Sequence, residues 1–218
     1  MAAEEPEERR PRDGRASGKT AVLCFGDSLT AGRVAGPSLF MPKCHHPYAK
    51  RLRALLGAEY EVVEAGCSGE KTGDMLQRLR ATLEPSQTQF QVVCLLGGTN
   101  DLGGRLGHAE IVDNLREMYL AAAKHGAVTL AISVPEALIN VPHYIEKRKA
   151  VNDGIRKVVK EWNQPQAIAF LDLEAQIPYL SAAEDARAEM WSDSLHMTEK
   201  GYDRFGELVF NEVQRIIS

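Results

Sequence analysis

No apolar run among the 218 residues approaches the roughly 18 needed to cross a bilayer. Surplus positive charge is missing too: 26 Lys and Arg face 30 Asp and Glu, a formal net charge of −4. That balance gives no reason to expect nucleic acid or an anionic membrane as a partner. Cysteine is scarce, and the spacing of Cys24, Cys44, Cys67 and Cys94 suggests no disulfide framework. The four read as reduced thiols, which suits a cytoplasmic chain. Cys44-His45-His46 puts adjacent candidate ligands in a row with no second cluster, a poor zinc signature. The expectation is therefore no metal and no cofactor. Residues 1–17 hold almost nothing apolar and cannot order themselves by burial, so they read as a disordered charged tail. That tail contains no apolar segment of a secretory signal, and its glutamates argue against a transit peptide.

The remaining residues, 18–218, are enough for one domain with a substantial core. Hydrophobic residues make up 44% and charged ones 26%, the balance of a soluble globular protein. Apolar runs at Thr20–Cys24, Tyr60–Val63, Phe90–Leu96, Ala127–Ser133 and Ala167–Leu173 predict five strands. Helical spacing appears between them. Leu52, Leu55 and Leu56 share one face, closed by Gly57, and Met75, Leu76, Leu79 and Leu83 another, stopped by Pro85. Ile111, Leu115, Met118 and Ala122 predict a helix ending at Gly126, and Val151, Ile155, Val158 and Trp162 predict the next. Tyr202, Phe205, Val209, Val213 and Ile216 mark the last helix, starting near Thr198. Thr72 is placed to cap the second helix.

Strands alternating with helices imply a parallel sheet with right-handed crossovers. Five of them suggest an α/β flavodoxin-like three-layer sandwich, strand order 2-1-3-4-5. In that order the ligand crevice opens between strands one and three, at their carboxyl ends.

Four polar stretches fall at strand ends or in loops. Gly26-Asp27-Ser28-Leu29 follows strand one, where a serine can serve as nucleophile if a base and an oxyanion site reach it. Gly66-Cys67-Ser68-Gly69 follows strand two, and Gly69 can offer an open N–H just before a helix N-terminus. Gly97-Gly98-Thr99-Asn100-Asp101 follows strand three, and the Asn100 amide can donate to a developing oxyanion. Ser192-Asp193-Ser194-Leu195-His196 precedes the last helix. There Asp193 can hold the His196 imidazole in one tautomer while its other nitrogen takes a proton. Each stretch alone also reads as a turn or a helix cap. Together they supply nucleophile, base, orienter and oxyanion donors, the full set for acyl transfer. A phosphate-loop reading fails, because the Lys-Ser/Thr signature and the dinucleotide glycine spacing are both absent.

These stretches, in this order, resemble the SGNH, or GDSL, hydrolase family, over Val22–Gly32, Glu64–Thr72, Leu95–Leu102 and Ser192–Gly201. The resemblance implies that Ser28 is the nucleophile, His196 the general base and Asp193 the third member of a triad. It implies an oxyanion hole made of the Ser28 and Gly69 N–H groups and the Asn100 side chain. The Gly-x-Ser-x-Gly elbow of the α/β-hydrolases is absent around Ser28. One departure stands out: the family often has Asn where this chain has Glu64, which leaves open how the second loop is braced.

The expected activity is hydrolysis of carboxylic esters through an acyl-serine intermediate, with a small-molecule ester as partner. An acyltransferase with the same triad is the alternative, and a non-catalytic binding module the weaker one. Leu39, Phe40 and Met41 near the nucleophile, with Leu138, Ile139 and Val141, offer enough apolar surface for a short acyl group. No segment reads as a long amphipathic lid. The same apolar residues would equally serve to anchor their loops to the core.

Overall fold

Period-two burial along the strands sets the layers. In β1 (Thr20–Gly26), Val22 and Cys24 pack on one side of the sheet while Leu23 and Phe25 pack on the other. In β3 (Phe90–Leu96) the same split divides Val92, Cys94 and Leu96 from Val93 and Leu95. A strand covered on both faces should be apolar nearly throughout, and these are, Thr20 and Gln91 apart. The computed structural model describes residues 19–36, 43–84, 86, 88–139, 141 and 143–218. The expected tail at 1–17, and Leu39, Phe40 and Met41, lie outside the described residues.

The other strands are β2 (Tyr60–Gly66), β4 (Val128–Ile132) and β5 (Ile168–Leu171). All five pair in parallel, in the order β2-β1-β3-β4-β5. This is the flavodoxin-like α/β sandwich that the alternating pattern implies. A separate two-residue ladder pairs Arg33–Val34 antiparallel with Cys44–His45.

Helices α1 (Tyr48–Leu56) and α8 (Glu199–Ile217) cover one face through Tyr48, Leu52, Tyr202, Phe205, Val209 and Val213. The Tyr48 and Phe205 rings sit 4.1 Å apart between centroids. Helices α2 (Thr72–Leu83), α4 (His108–His125) and α5 (Tyr144–Lys160) cover the other face with Met75, Leu79, Ile111, Leu115, Met118, Val151 and Ile155. The short helices α3 (Thr99–Leu102), α6 (Leu173–Gln176) and α7 (Glu184–Met190) complete the chain.

Two local differences from the sequence-based expectation matter for the site. Strands β1 and β2 run on to Gly26 and Gly66, past Cys24 and Val63. Pairing with their neighbours carries β1 through Phe25 to Gly26, and β2 through Glu64 and Ala65 to Gly66, where the residues are polar or small. Thr72 is the first helical residue of α2 rather than its cap. Its N–H and its Oγ1 both donate to the Asp101 carboxylate, at 3.0 and 3.2 Å, so a side chain from α3 caps the helix.

The C-terminal ends of β2, β1 and β3 are level. Gly26 pairs with Gly66 on one side and with Leu96 on the other. Ser28, Gly69 and Asn100 follow those three positions closely, so the topology delivers all three to one end of the sheet. All four cysteines are free thiols. Among the described residues no helix is long and apolar enough to cross a membrane.

Candidate active site

Beyond Gly26 the chain turns at once. The Thr30 and Ala31 N–H groups both donate to the Asp27 carbonyl, and the Leu29 N–H donates to Asp27 Oδ1 at 2.9 Å. This tight turn is possible because Gly66, on the neighbouring strand, has no side chain. A Cβ there would lie 2.2 Å from the Ala31 nitrogen. Gly66 therefore serves close backbone packing under the nucleophile loop. Ser28 ends up 5% exposed, as does His196.

His196 is carried by a turn that closes on itself. The Ser192 N–H donates to the His196 carbonyl at 2.8 Å, and Trp191 and Met197 form an antiparallel bridge. Asp193 Oδ1 accepts from the Leu195 and His196 N–H groups, at 2.7 and 2.6 Å. Its Oδ2 lies 2.9 Å from His196 Nδ1, and His196 Nε2 lies 3.2 Å from Ser28 Oγ. Partial burial opposes charge on Asp193. The hydrogen bonds from the His196 ring and from the two backbone N–H groups outweigh it and take the carboxyl down to about 2. Asp193 is thus ionised around neutral pH. An Nδ1–H donated to Asp193 leaves Nε2 as the ring nitrogen facing Ser28 Oγ.

Gly69 adopts φ +82°, a left-handed conformation that suits glycine, and a Cβ there would face open space. Among the described residues neither the Gly69 nor the Ser28 N–H meets an acceptor. Asn100 Nδ2 donates to the Glu70 carbonyl at 2.9 Å and lies 3.4 Å from Asp27 Oδ2. The structure thus joins Ser28, His196 and Asp193 directly. Asn100 joins them through Asp27, and Gly69 through its neighbour Glu70.

Three residues escaped the sequence reading. Asp27 is fully buried, and burial pushes its carboxyl up to about 6. The Leu29 N–H, the field of His196 and the neighbouring Thr99 side chain pull it back, while Asp101 pushes with burial. Glu70 and Arg78 form an ion pair behind the Gly69 loop. Only Asp27 carried a local signal, its place beside Ser28. Glu64, the departure noted above, accepts the Gly66 N–H at 2.6 Å.

A hollow of about 750 Å³ lined by Arg80, Leu83, Leu120 and His125 lies at the other end of β3 from Asn100. Its Ser86 and His125 bond to backbone groups of Thr88 and Phe90, not to each other, so it offers no second nucleophile–base pair.

Residues 24–204 match the profile of the GDSL-like lipase/acylhydrolase family. No curated protein matches the chain in sequence. Among solved structures, the chain is similar to Est24, a carbohydrate acetylesterase from Sinorhizobium meliloti. That match has 20% identity and a TM-score of 0.72 over 91% of this chain and 100% of the other. The aryl esterase of M. smegmatis matches at 20% identity and a TM-score of 0.74, over 90% and 99% of the two chains. A putative arylesterase from Agrobacterium tumefaciens matches at 21% identity and 0.70, over 90% and 99%.

Proposed function

The chain belongs to the GDSL-like lipase/acylhydrolase family and is a serine ester hydrolase, and from that premise we propose how its residues divide the work and which esters it takes. The observation that carries the reading is the continuous contact from Ser28 Oγ through His196 Nε2 and Nδ1 to Asp193 Oδ2. Ser28 Oγ attacks the ester carbonyl carbon as its proton passes to His196 Nε2. Asp193 stabilises the imidazolium. The carbonyl oxygen becomes an oxyanion, which the Ser28 and Gly69 N–H groups receive together with the Asn100 amide, whose second proton turns to it from its long 3.4 Å bond to Asp27 Oδ2. Collapse of this intermediate breaks the ester C–O bond. His196 returns its proton to the departing alcohol, leaving an acyl-Ser28. Water then repeats the sequence, losing a proton to His196, and the acid is released.

We assign the enzyme to esters with short acyl groups. Leu138 and Val141, whose segment reaches the site through the Leu138 N–H and the Ser194 carbonyl, stay exposed and provide a small apolar rim. One structural neighbour is described as a carbohydrate acetylesterase, which supports small acyl groups. The four free thiols support a reducing, cytoplasmic compartment. The test is kcat/KM across acetyl, butyryl, octanoyl and palmitoyl esters of one leaving group. The reading expects a maximum at acetyl or butyryl. An optimum at octanoyl or longer, or a rate jump beyond the substrate's solubility limit, would replace the open short-chain site with a lipase-like one.

A further inference from the structure

Glu70 stands between the two oxyanion donors contributed from outside the nucleophile loop. It directly follows Gly69, and its carbonyl takes the amide proton of Asn100 at 2.9 Å. Whatever fixes Glu70 therefore fixes both donors. Its side chain is gripped by Arg78, from the second turn of α2. Nε donates to both carboxylate oxygens at 2.9 and 3.0 Å, and Nη2 donates to Oε2 at 2.6 Å. The rest of the guanidinium is engaged as well. Nη1 donates to the Ala65 carbonyl and Nη2 to the Gly26 carbonyl, both at 3.0 Å. Its plane lies over the Phe25 ring, with Cζ 4.0 Å from the ring centre.

Those partners have positions that matter. Gly26 is the last residue of β1, two before Ser28, and its carbonyl also accepts the Cys67 N–H at 2.9 Å. Ala65 lies near the end of β2, just before the loop. One side chain thus ties the end of the nucleophile strand, the end of the neighbouring strand and the loop bearing Gly69. The Glu70 side chain is only 10% exposed and that of Arg78 28%, so water competes weakly for these bonds.

We propose that Arg78 is a positioning residue for the oxyanion hole: through Glu70 it sets the Gly69 N–H and the Asn100 amide at the distance from Ser28 that the transition state requires. The assignment rests on the reading of Ser28, Gly69 and Asn100 given above. All three nitrogens donate, to four oxygens of three residues, and an aromatic ring lies beneath the planar fork. Lysine, a point charge on a flexible stem, cannot reproduce it. The cluster also answers how the loop is braced in a chain with Glu64 at its start: the brace comes from α2.

The test uses Arg78→Lys in the full chain, with a soluble acetyl ester. The concentration of competent sites is titrated with a fluorophosphonate. Since misplacing groups by about 1 Å can cost 10²-fold, kcat per titrated site should fall by roughly 10- to 10²-fold, with KM within about twofold. Glu70→Gln, which keeps a hydrogen-bond acceptor but loses the ion pair, should move kcat in the same direction by less. In an Asn100→Ala background Arg78→Lys should cost clearly less than in the wild type, because one of its two outputs is already gone. A purely structural brace would lower the titratable fraction or the melting temperature and leave kcat per site unchanged. That result, or full additivity with Asn100→Ala, would overturn the proposal. Ser28→Ala serves as the control. If it keeps turnover, the reading of the site fails; if it is inactive and Arg78→Lys is normal per site, only the role of Arg78 fails.

Discussion

The turn that carries His196 and the loop that carries Gly69 are held by different kinds of bond. The first is closed by short-range contacts: Asp193 binds Leu195 and His196, and Ser192 binds the His196 carbonyl. The second has little internal support beyond the Glu70 N–H on the Cys67 carbonyl. It is held by side chains from other elements, Arg78 of α2 and Asn100 of α3. The difference follows from their tasks. A general base needs one ring orientation, which a neighbouring carboxylate can set alone. An oxyanion hole needs donors from separate strand ends to converge, so its geometry must be fixed between elements.

Breaking the self-contained half should have the largest effect. Asp193→Asn leaves the turn's size intact but favours the wrong tautomer, and kcat should fall by roughly 10⁴. The base takes its proton at His196 Nε2, so kcat/KM should have an acid limb. A profile that stays flat into the acid range, with chemistry rate-limiting, would remove His196 as base.

The dispersed half should yield less to any single change, because its work is shared. Asn100→Ala should lower kcat by roughly 10²–10³ with KM little altered. An unchanged kcat with a raised KM would move Asn100 from the oxyanion to ground-state binding.

Asp27 lies between the halves, near Asn100 and in the field of His196. Its folded carboxyl stands near 6 against 3.8 for the free group. The folded state therefore binds the proton more tightly, and stability should decline as pH rises from about 4 to 6. The loss should be on the order of 3 kcal/mol. Asp193 works oppositely: its lowered carboxyl contributes stability above 3.8 that is lost as pH falls toward 2. Chemical denaturation of the wild type and of Asp27→Asn from pH 4 to 8 checks this. The variant should lack the decline, and an identical slope in both proteins would show that Asp27 carries none of it.

The smallest change should come from Glu64→Gln. Glutamine keeps an acceptor for the Gly66 N–H, so stability should move by no more than about 0.5 kcal/mol and kcat should stay near wild type. A large fall in kcat would shift the bracing of the loop from Arg78 to Glu64.

The same contrast explains what the sequence revealed. Five apolar runs and their intervening helical spacings show the sheet, most strongly at β1, β3 and β4, where burial on both faces leaves a clear pattern; the order follows from the fold class that this alternation implies. The Asp193–His196 pair is legible because both partners lie three residues apart in one turn. Arg78 is not, since nothing in a helical sequence shows that one of its side chains reaches two strand ends. Asp101 is likewise hidden as the cap of α2, because a cap supplied from another helix, α3, has no local spacing. Helix α7 escapes notice for a different reason: it buries no residue and so has no apolar stripe to read.

The central claim is that Ser28 carries the acyl group between two half-reactions. Rapid acid quenching of the enzyme with an activated acetyl ester, followed by mass mapping of the peptide around Ser28, tests it most directly. The account predicts one acetyl group on Ser28 during turnover and none in Ser28→Ala, which should also lose activity. Unmodified Ser28 with rapid turnover, or an acetyl group on another residue that persists in active Ser28→Ala, would contradict it.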